Sequence, residues 1–273
     1  MRPAQFGILV VVVGCIIAGI IWFLQRSESE QLMPPEGAVI EAGSKQPLQQ
    51  VQRDEPQETL PPPAEEDTTP DAPPPPPIVE APDSLSDSDE ASYKAAENIS
   101  TTLAQWLTPQ EQIRKWVLMV DNVAMGKVPV KNNPVSFPMA PFTVTGNEQN
   151  RKLSDLNFKR ITPMIDALSV TDPALLARYY RSWQPLLEQA YSELGQPGSF
   201  DERFQQAIGR ILSVDPKKVS GTALEQPSVF FTYSDKEMEN ASELDKFLWR
   251  MGPVNAERLQ SFLKKLQPYL QQQ

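Results

Sequence analysis

The 273-residue chain contains no histidine and a single cysteine, Cys15. Intramolecular disulfides are therefore excluded, as are Cys/His zinc centres and nucleophile systems that use histidine as their base. The near absence of cysteine is compatible with an oxidising compartment. No metal or cofactor is expected from the remaining pattern. Concentrated basic sequence is also missing, although this is visible only once the formal charge of -10 is placed along the chain. Residues 27–92 hold sixteen acids against two bases, Lys45 and Arg53, whereas residues 93–273 hold twenty-one bases against nineteen acids. The acidity belongs to the first segment, and the nearly neutral remainder has no nucleic-acid footprint, which needs Lys and Arg massed on one face.

Charge is absent altogether from FGILVVVVGCIIAGIIWFL, residues 6–24. Its nineteen residues span roughly 28 Å as a helix, close to the ~30 Å hydrocarbon core of a bilayer. Trp22 and Phe23 stand at its end, where aromatic rings suit the interface. A cleaved signal peptide would have a shorter apolar core. The VVGC ending at Cys15 resembles a lipoprotein box, but the apolar run continues from Ile16 to Leu24. An uncleaved anchor is the expectation, with residues 1–5 cytoplasmic and the lipid bilayer as partner of residues 6–24. Arg2 and the α-amino group against Arg26 only slightly favour this orientation. The remainder of the chain is then expected in the periplasm of a Gram-negative cell, as a single-pass inner-membrane protein.

Residues 25–92 are rich in Pro, Glu, Asp, Gln and Ser, with PPPAEEDTTPDAPPPPP as the densest part. Such a chain buries too little apolar surface to offset its ordering entropy, so a disordered acidic tether is expected. The five prolines ending at Pro77 favour polyproline II. No PxxP repeat with flanking bases marks a ligand for a proline-binding groove.

From Tyr93 onward apolar residues recur at helical spacing, which predicts a mainly α globular domain over 93–273 with at most a short β ribbon. Thr108-Pro109-Gln110-Glu111 reads as a capping box opening a helix that Gly126 closes. Asp172-Pro173 opens a helix that should end at Gly195, with a kink or break at Pro185. Ser199-Phe200-Asp201-Glu202 repeats the capping box, and Gly252-Pro253 stops one helix and starts the last. Phe142 to Thr145 and Val229 to Tyr233 are the strand candidates, and they could pair.

Three segments, IRKWVLMVDNVAMGKVPVK (113–131), EQAYSELGQP (188–197) and WRMGPVNAERL (249–259), resemble the motifs of an uncharacterised proteobacterial family. Its members have an N-terminal membrane segment, a proline-rich linker and a C-terminal domain of unknown function. The resemblance covers roughly residues 93–273. It implies a Gram-negative cell-envelope protein and no activity. The matching positions are Asp121, Asn122, Gly126, Lys127 and Pro129, then Tyr191, Leu194 and Gly195, then Arg250, Met251, Gly252 and Pro253.

These motifs carry no recognisable chemistry. Gly126-Lys127 lacks the GxxxxGK[ST] pattern of a phosphate loop. Asp121 and Asn122 read either as a polar pocket or as side chains that pin the following loop to the backbone. Asp166, Asp172, Glu188 and Glu193 could supply a carboxylate pair for glycoside hydrolysis, but nothing selects one pair. Arg178, Tyr179, Tyr180, Arg181 and Trp183 form a cluster of a kind that can bind sugar, nucleic acid or anionic lipid, although Tyr179 and Trp183, four apart, suit core packing. The proline-rich run 120–142 reads as a clasp held by Val128, Val130, Val135, Phe137 and Phe142, the alternative being a binding loop. Two function classes remain: a non-enzymatic scaffold or binding module tethered near an envelope protein partner or the cell wall, and a carboxylate-based envelope hydrolase. Self-association is left open.

Overall fold

A computed structural model describes residues 78–129, 131–217 and 219–271. The anchor expected at 6–24 and the tether up to residue 77 lie outside the described residues. Among the described residues, no helix is long and apolar enough to cross a membrane.

In chain order the elements are helices α1 (Ser88–Ile99), α2 (Thr101–Ala104) and α3 (Gln112–Ala124), strands β1 (Val144–Thr145) and β2 (Lys152–Leu153), then helices α4 (Leu156–Ser169), α5 (Pro173–Glu193) and α6 (Phe200–Leu212). Strands β3 (Leu224–Glu225) and β4 (Thr232–Tyr233) follow, and helices α7 (Lys236–Asn240), α8 (Glu243–Arg250) and α9 (Pro253–Gln271) complete the chain. Helix α3 packs along α6 and α5, while α9 lies against α5 and α4. Trp116, Tyr179, Trp183, Phe200, Phe204 and Phe247 fill the centre, each with almost no surface left in water. Tyr179 and Trp183 are thus core residues, as their spacing of four predicts.

The folded unit begins before Tyr93. Ile78 and Val79 pack on the core, Leu85, Ser88 and Ser92 are buried, and α1 starts at Ser88. Composition assigns this stretch to the tether because it is acidic and carries no apolar period. Two features override that. The Val79 amide donates to the Tyr179 hydroxyl at 3.1 Å, and the Trp183 indole donates to the Val79 carbonyl at 3.3 Å.

Asp89 explains a second departure. Helix α3 does not start at Pro109: Gln110 and Glu111 adopt left-handed backbone (φ 63° and 56°), and the first helical residue is Gln112. The Asp89 carboxylate accepts from the amides of Glu111 and Gln112, each at 2.9 Å, so the cap comes from a distant part of the chain. Thr108 is engaged elsewhere. Its hydroxyl donates to the Asn133 carbonyl at 2.8 Å and its amide to the Pro134 carbonyl at 2.8 Å.

Helix α5 runs unbroken through Pro185, whose ring lies on the exposed side of the helix. The expected break is therefore absent, since burial of Leu186, Leu187, Ala190 and Tyr191 holds the following turns on the core. The expected starts at Pro173 and Phe200 are found, the second with both halves of its capping box.

The strand candidates do not pair with each other. β1 pairs with β2 and β3 with β4, both antiparallel, so there are two short ribbons instead of at most one. Each strand closes on a near neighbour in the chain, which costs less loop entropy than a distant pairing. A bridge between Lys152 and Ala223 joins the ribbons side by side.

Candidate functional site

The first motif lies where the end of α3 meets α6 and the start of α8. Gly126, at φ +70°, ends α3 in a Schellman arrangement: its amide bonds Val123 and the Lys127 amide bonds the Asn122 carbonyl, both at 2.9 Å. A Cβ added to Gly126 would meet Arg210 Nε and Ser242 at 3.4 Å, so the turn is also packed closely against α6 and the cap of α8. The Gly126 carbonyl accepts from the Leu244 amide at 3.1 Å, and the Val128 amide donates to the Glu243 carboxylate at 2.9 Å. The turn therefore fastens α3 to the first turn of α8.

Charges around this junction are matched. Asp121 is buried, and its carboxylate accepts from Arg203 Nε on α6 at 2.7 Å. Asn122 bonds the Leu118 carbonyl at 2.8 Å. Arg210 Nη2 reaches Ser242 Oγ at 2.8 Å and Asp245 Oδ2 at 2.6 Å. Desolvation raises the Asp245 carboxyl, but the hydrogen bonds from Ser242 and Arg210 outweigh it and hold the group below its ordinary range. Lys127 is exposed at the helix C-terminus, where its charge suits the dipole, and Pro129 is buried.

The other two motifs have the same local architecture. Gly195 (φ +67°) follows α5, and Tyr191 is buried there with its hydroxyl on the Pro197 carbonyl at 3.3 Å and its ring edge-on to Phe200 at 6.0 Å. Gly252 (φ +86°) follows α8, and a Cβ there would lie 2.6 Å from the Phe158 ring. Arg250 places its guanidinium over the Tyr233 ring, 5.4 Å from the centroid. All three signature glycines stand at helix ends, after α3, α5 and α8.

The clasp divides into two parts. Val135 and Phe137 are buried, the Trp106 and Phe137 rings meet edge-on at 4.5 Å, and Leu107 and Val135 form an antiparallel bridge. Beyond Phe137 the run is more open: Pro138, Ala140 and Pro141 are exposed, and Phe142 is half-buried against Phe231 at 5.8 Å. Arg160 donates to the Ala140 carbonyl at 2.7 Å, and its guanidinium lies 5.7 Å from the Phe142 ring centroid. Burial lowers its pKa to about 9, so it stays protonated at neutral pH.

The four carboxylates with catalytic potential are spread apart in function. Asp166 pairs with Arg258 at 2.7 Å and Glu193 with Arg114 at 2.6 Å. Asp172 caps α5 by accepting from the Ala174 amide, and Glu188 accepts from the amides of Phe200 and Asp201 at the start of α6. Asp201 in turn accepts from the Tyr180 hydroxyl, whose pKa burial and that carboxylate push far above the usual tyrosine range. Among the described residues, no group of three or more Cys, Asp or Glu side chains gathers to hold a metal ion. An open cleft of about 450 Å³ lies between the end of α4, the start of α5 and α9, with Arg258, Lys265, Phe262 and Val254 on its walls.

Sequence reasoning missed Arg203, Arg210, Glu243 and Asp89, whose partners are far away in the chain. Ser242 and Asp245 were within reach, because Ser-x-x-Asp before an apolar run is a capping pattern.

The arrangement defines a helical domain whose signature residues end helices and tie them to one another. Its family model, described as "Protein of unknown function (DUF3014)", matches residues 112–267, and the chain belongs to that family. No curated protein and no solved structure matches the chain.

Proposed function

We propose that the protein is a membrane-anchored cell-envelope module, a non-enzymatic scaffold or binding domain carried on an acidic, proline-rich tether. In this reading residues 6–24 cross the inner membrane once and the helical domain stands in the periplasm. The observation that carries the non-enzymatic part is the engagement of the charged groups. Asp121 with Arg203, Asp245 with Arg210, Asp166 with Arg258 and Glu193 with Arg114 are ion pairs, while Asp172 and Glu188 serve helix starts. A hydrolase of the glycosidase type needs two carboxyl groups that face a common cleft and keep their lone pairs for substrate. The alternative of a carboxylate-based envelope hydrolase would need such a pair, and the four carboxylates singled out from the sequence are each engaged in an ion pair or a helix start.

Crosslinking in living cells followed by mass spectrometry tests the scaffold reading: a defined envelope partner should be recovered, and an unselective sample of envelope proteins would count against it. The purified domain should release no soluble fragments from envelope polymers. Release that is lost on single Asp or Glu substitution would establish the hydrolase instead. A reporter fluorescent only in the cytoplasm, fused at the C-terminus, should stay dark.

A further inference from the structure

We infer that Phe137 to Phe142 is a preformed polyproline II ligand, which presents the rings of Pro138 and Pro141 to a partner whose cleft is lined by aromatic side chains. This rests on the reading of the protein as a scaffold or binding module and names the surface and the chemistry of the partner.

Proline fixes φ near about −65° at positions 138 and 141, and each proline steers the residue before it, Phe137 or Ala140, into extended backbone. Residues 136–143 accordingly form neither helix, strand nor turn. Polyproline II has three residues per turn, so positions three apart share a face. The burial follows that period. Met139 and Phe142 are half-buried and pack on the core, whereas Pro138 and Pro141 are both exposed. On the third face Phe137 is buried against Trp106, where the segment enters the core, and Ala140 is exposed between the two proline rings. At ~3.1 Å per residue those rings stand about 9 Å apart. Stiffness alone sets no requirement on the side they face; here both face outward, in register.

The segment is tied down at three points. The Ser136 amide donates to the Trp106 carbonyl at 2.7 Å, and Arg160 Nε donates to the Ala140 carbonyl at 2.7 Å. The Thr143 amide donates to Asn157 Oδ1 at 2.9 Å, and the Thr143 carbonyl accepts from Asn157 Nδ2 at 2.7 Å. Ordering of the ligand is thus met by folding, and a partner that binds it does not bear that entropy again. Grooves that read polyproline II are lined by aromatic rings, on which the proline rings stack. The run from Asn132 to Asn147 has no charged residue, and Lys131 and Glu148, which bound it, are of opposite sign. Ring packing, and not ion pairing, therefore selects the partner. A second copy of the domain is a poor reader: among the described residues the exposed aromatic rings are Phe230 on the β3–β4 connection and Tyr269 on α9, which belong to different elements.

The test places the photo-crosslinking residue p-benzoylphenylalanine at position 140 of the full chain in living cells, with position 170 on the α4–α5 connection, 84% exposed, as the control. Adducts are mapped by mass spectrometry to the crosslinked surface of the partner. The expected result is an adduct from position 140 and not from 170, on a surface carrying Trp, Tyr or Phe, reduced about tenfold in Pro138→Ser/Pro141→Ser. Both prolines are exposed, so that variant should keep its unfolding midpoint. If it unfolds, synthetic peptides of residues 136–143 with and without the two changes are compared on the purified partner, and the same tenfold loss is expected. An adduct that survives the Ser substitutions, that maps to a surface without aromatic rings, that is shared with position 170 or that joins two copies of this chain overturns the ligand. No adduct from position 140, while chemical crosslinking in cells still recovers a defined partner, overturns the ligand and leaves the scaffold reading standing. No defined partner by either route overturns both.

Discussion

Replacing Phe137 by alanine removes a phenyl ring that is 4% exposed and sits 4.5 Å from Trp106 with the rings at 82°. Truncating a buried phenylalanine costs about 3–5 kcal/mol, of which the edge contact accounts for roughly 0.5–1.5. In a domain of this size each kcal/mol lowers Tm by roughly 2–4 °C, so the expected fall is about 6–20 °C. Thermal and urea unfolding of residues 78–273, followed by circular dichroism, would measure it. The urea midpoint should fall while the slope m stays constant, because the native and unfolded surfaces are otherwise alike. Phe230→Ala, on the exposed β3–β4 connection, should stay within about 0.5 kcal/mol of the parent and serves as the control. If Phe137→Ala lowers Tm by less than about 2 °C, the ring contributes little to the fold and the clasp argument is wrong. Unaltered stability together with loss of the crosslinked partner would make the run 126–142 a binding loop.

Further outcomes follow from the packing. Asp89→Ala should cost about 1 kcal/mol as the loss of a helix cap, and a chain beginning at Tyr93 should be less stable still than one beginning at Ile78, both by urea unfolding. Gly252→Ala should cost about 2–4 kcal/mol, since it combines left-handed backbone with a clash on Phe158; equal Tm values would refute this. Asp121→Asn strands the Arg203 charge and should cost about 3 kcal/mol, while Asp121→Leu with Arg203→Met should recover most of it in a double-mutant cycle. Asp245 has a folded pKa below its ordinary value of 3.8. Between the two values the unfolded chain holds the extra proton, so stability rises with pH there, is complete above that window and is lost as pH falls through the folded pKa. Asp245→Asn should therefore flatten the acid limb of the stability profile in unfolding measured from pH 5 downward.

Local chemistry was readable in the sequence wherever a helix end is built from adjacent residues. Asp172, Ser199, Gly126, Gly195 and Gly252 all stand where capping rules put them, because the groups involved lie within a turn of each other. The failures share a cause. Thr108-Pro109 looks like a helix start, but Thr108 is drawn into pairing with Asn133 and Pro134, and the cap of α3 is supplied by Asp89. Both partners are more than twenty residues away, beyond the reach of any periodicity. The domain boundary failed for the same reason: residues 78–92 have the composition of a tether, and only their contacts with α3 and α5 make them part of the core. The junction of Asp121, Arg203, Arg210 and Asp245 was equally hidden, its members coming from three helices.

The seat of Val79 on Tyr179 and Trp183 also has a mechanical meaning. A pull on the chain at Ile78 reaches the domain first through the two bonds of Val79, to residues in the middle of the long helix α5. Only after they part would the load pass to Leu85, α1 and the Asp89 cap. Strain delivered from the N-terminal side is thus carried into the centre of the core, and an end helix is not peeled away first. Rupture of these two bonds would free slack chain and leave the cap of α3 in place. Single-molecule extension from residue 78 should accordingly show a small early release ahead of the main unfolding event.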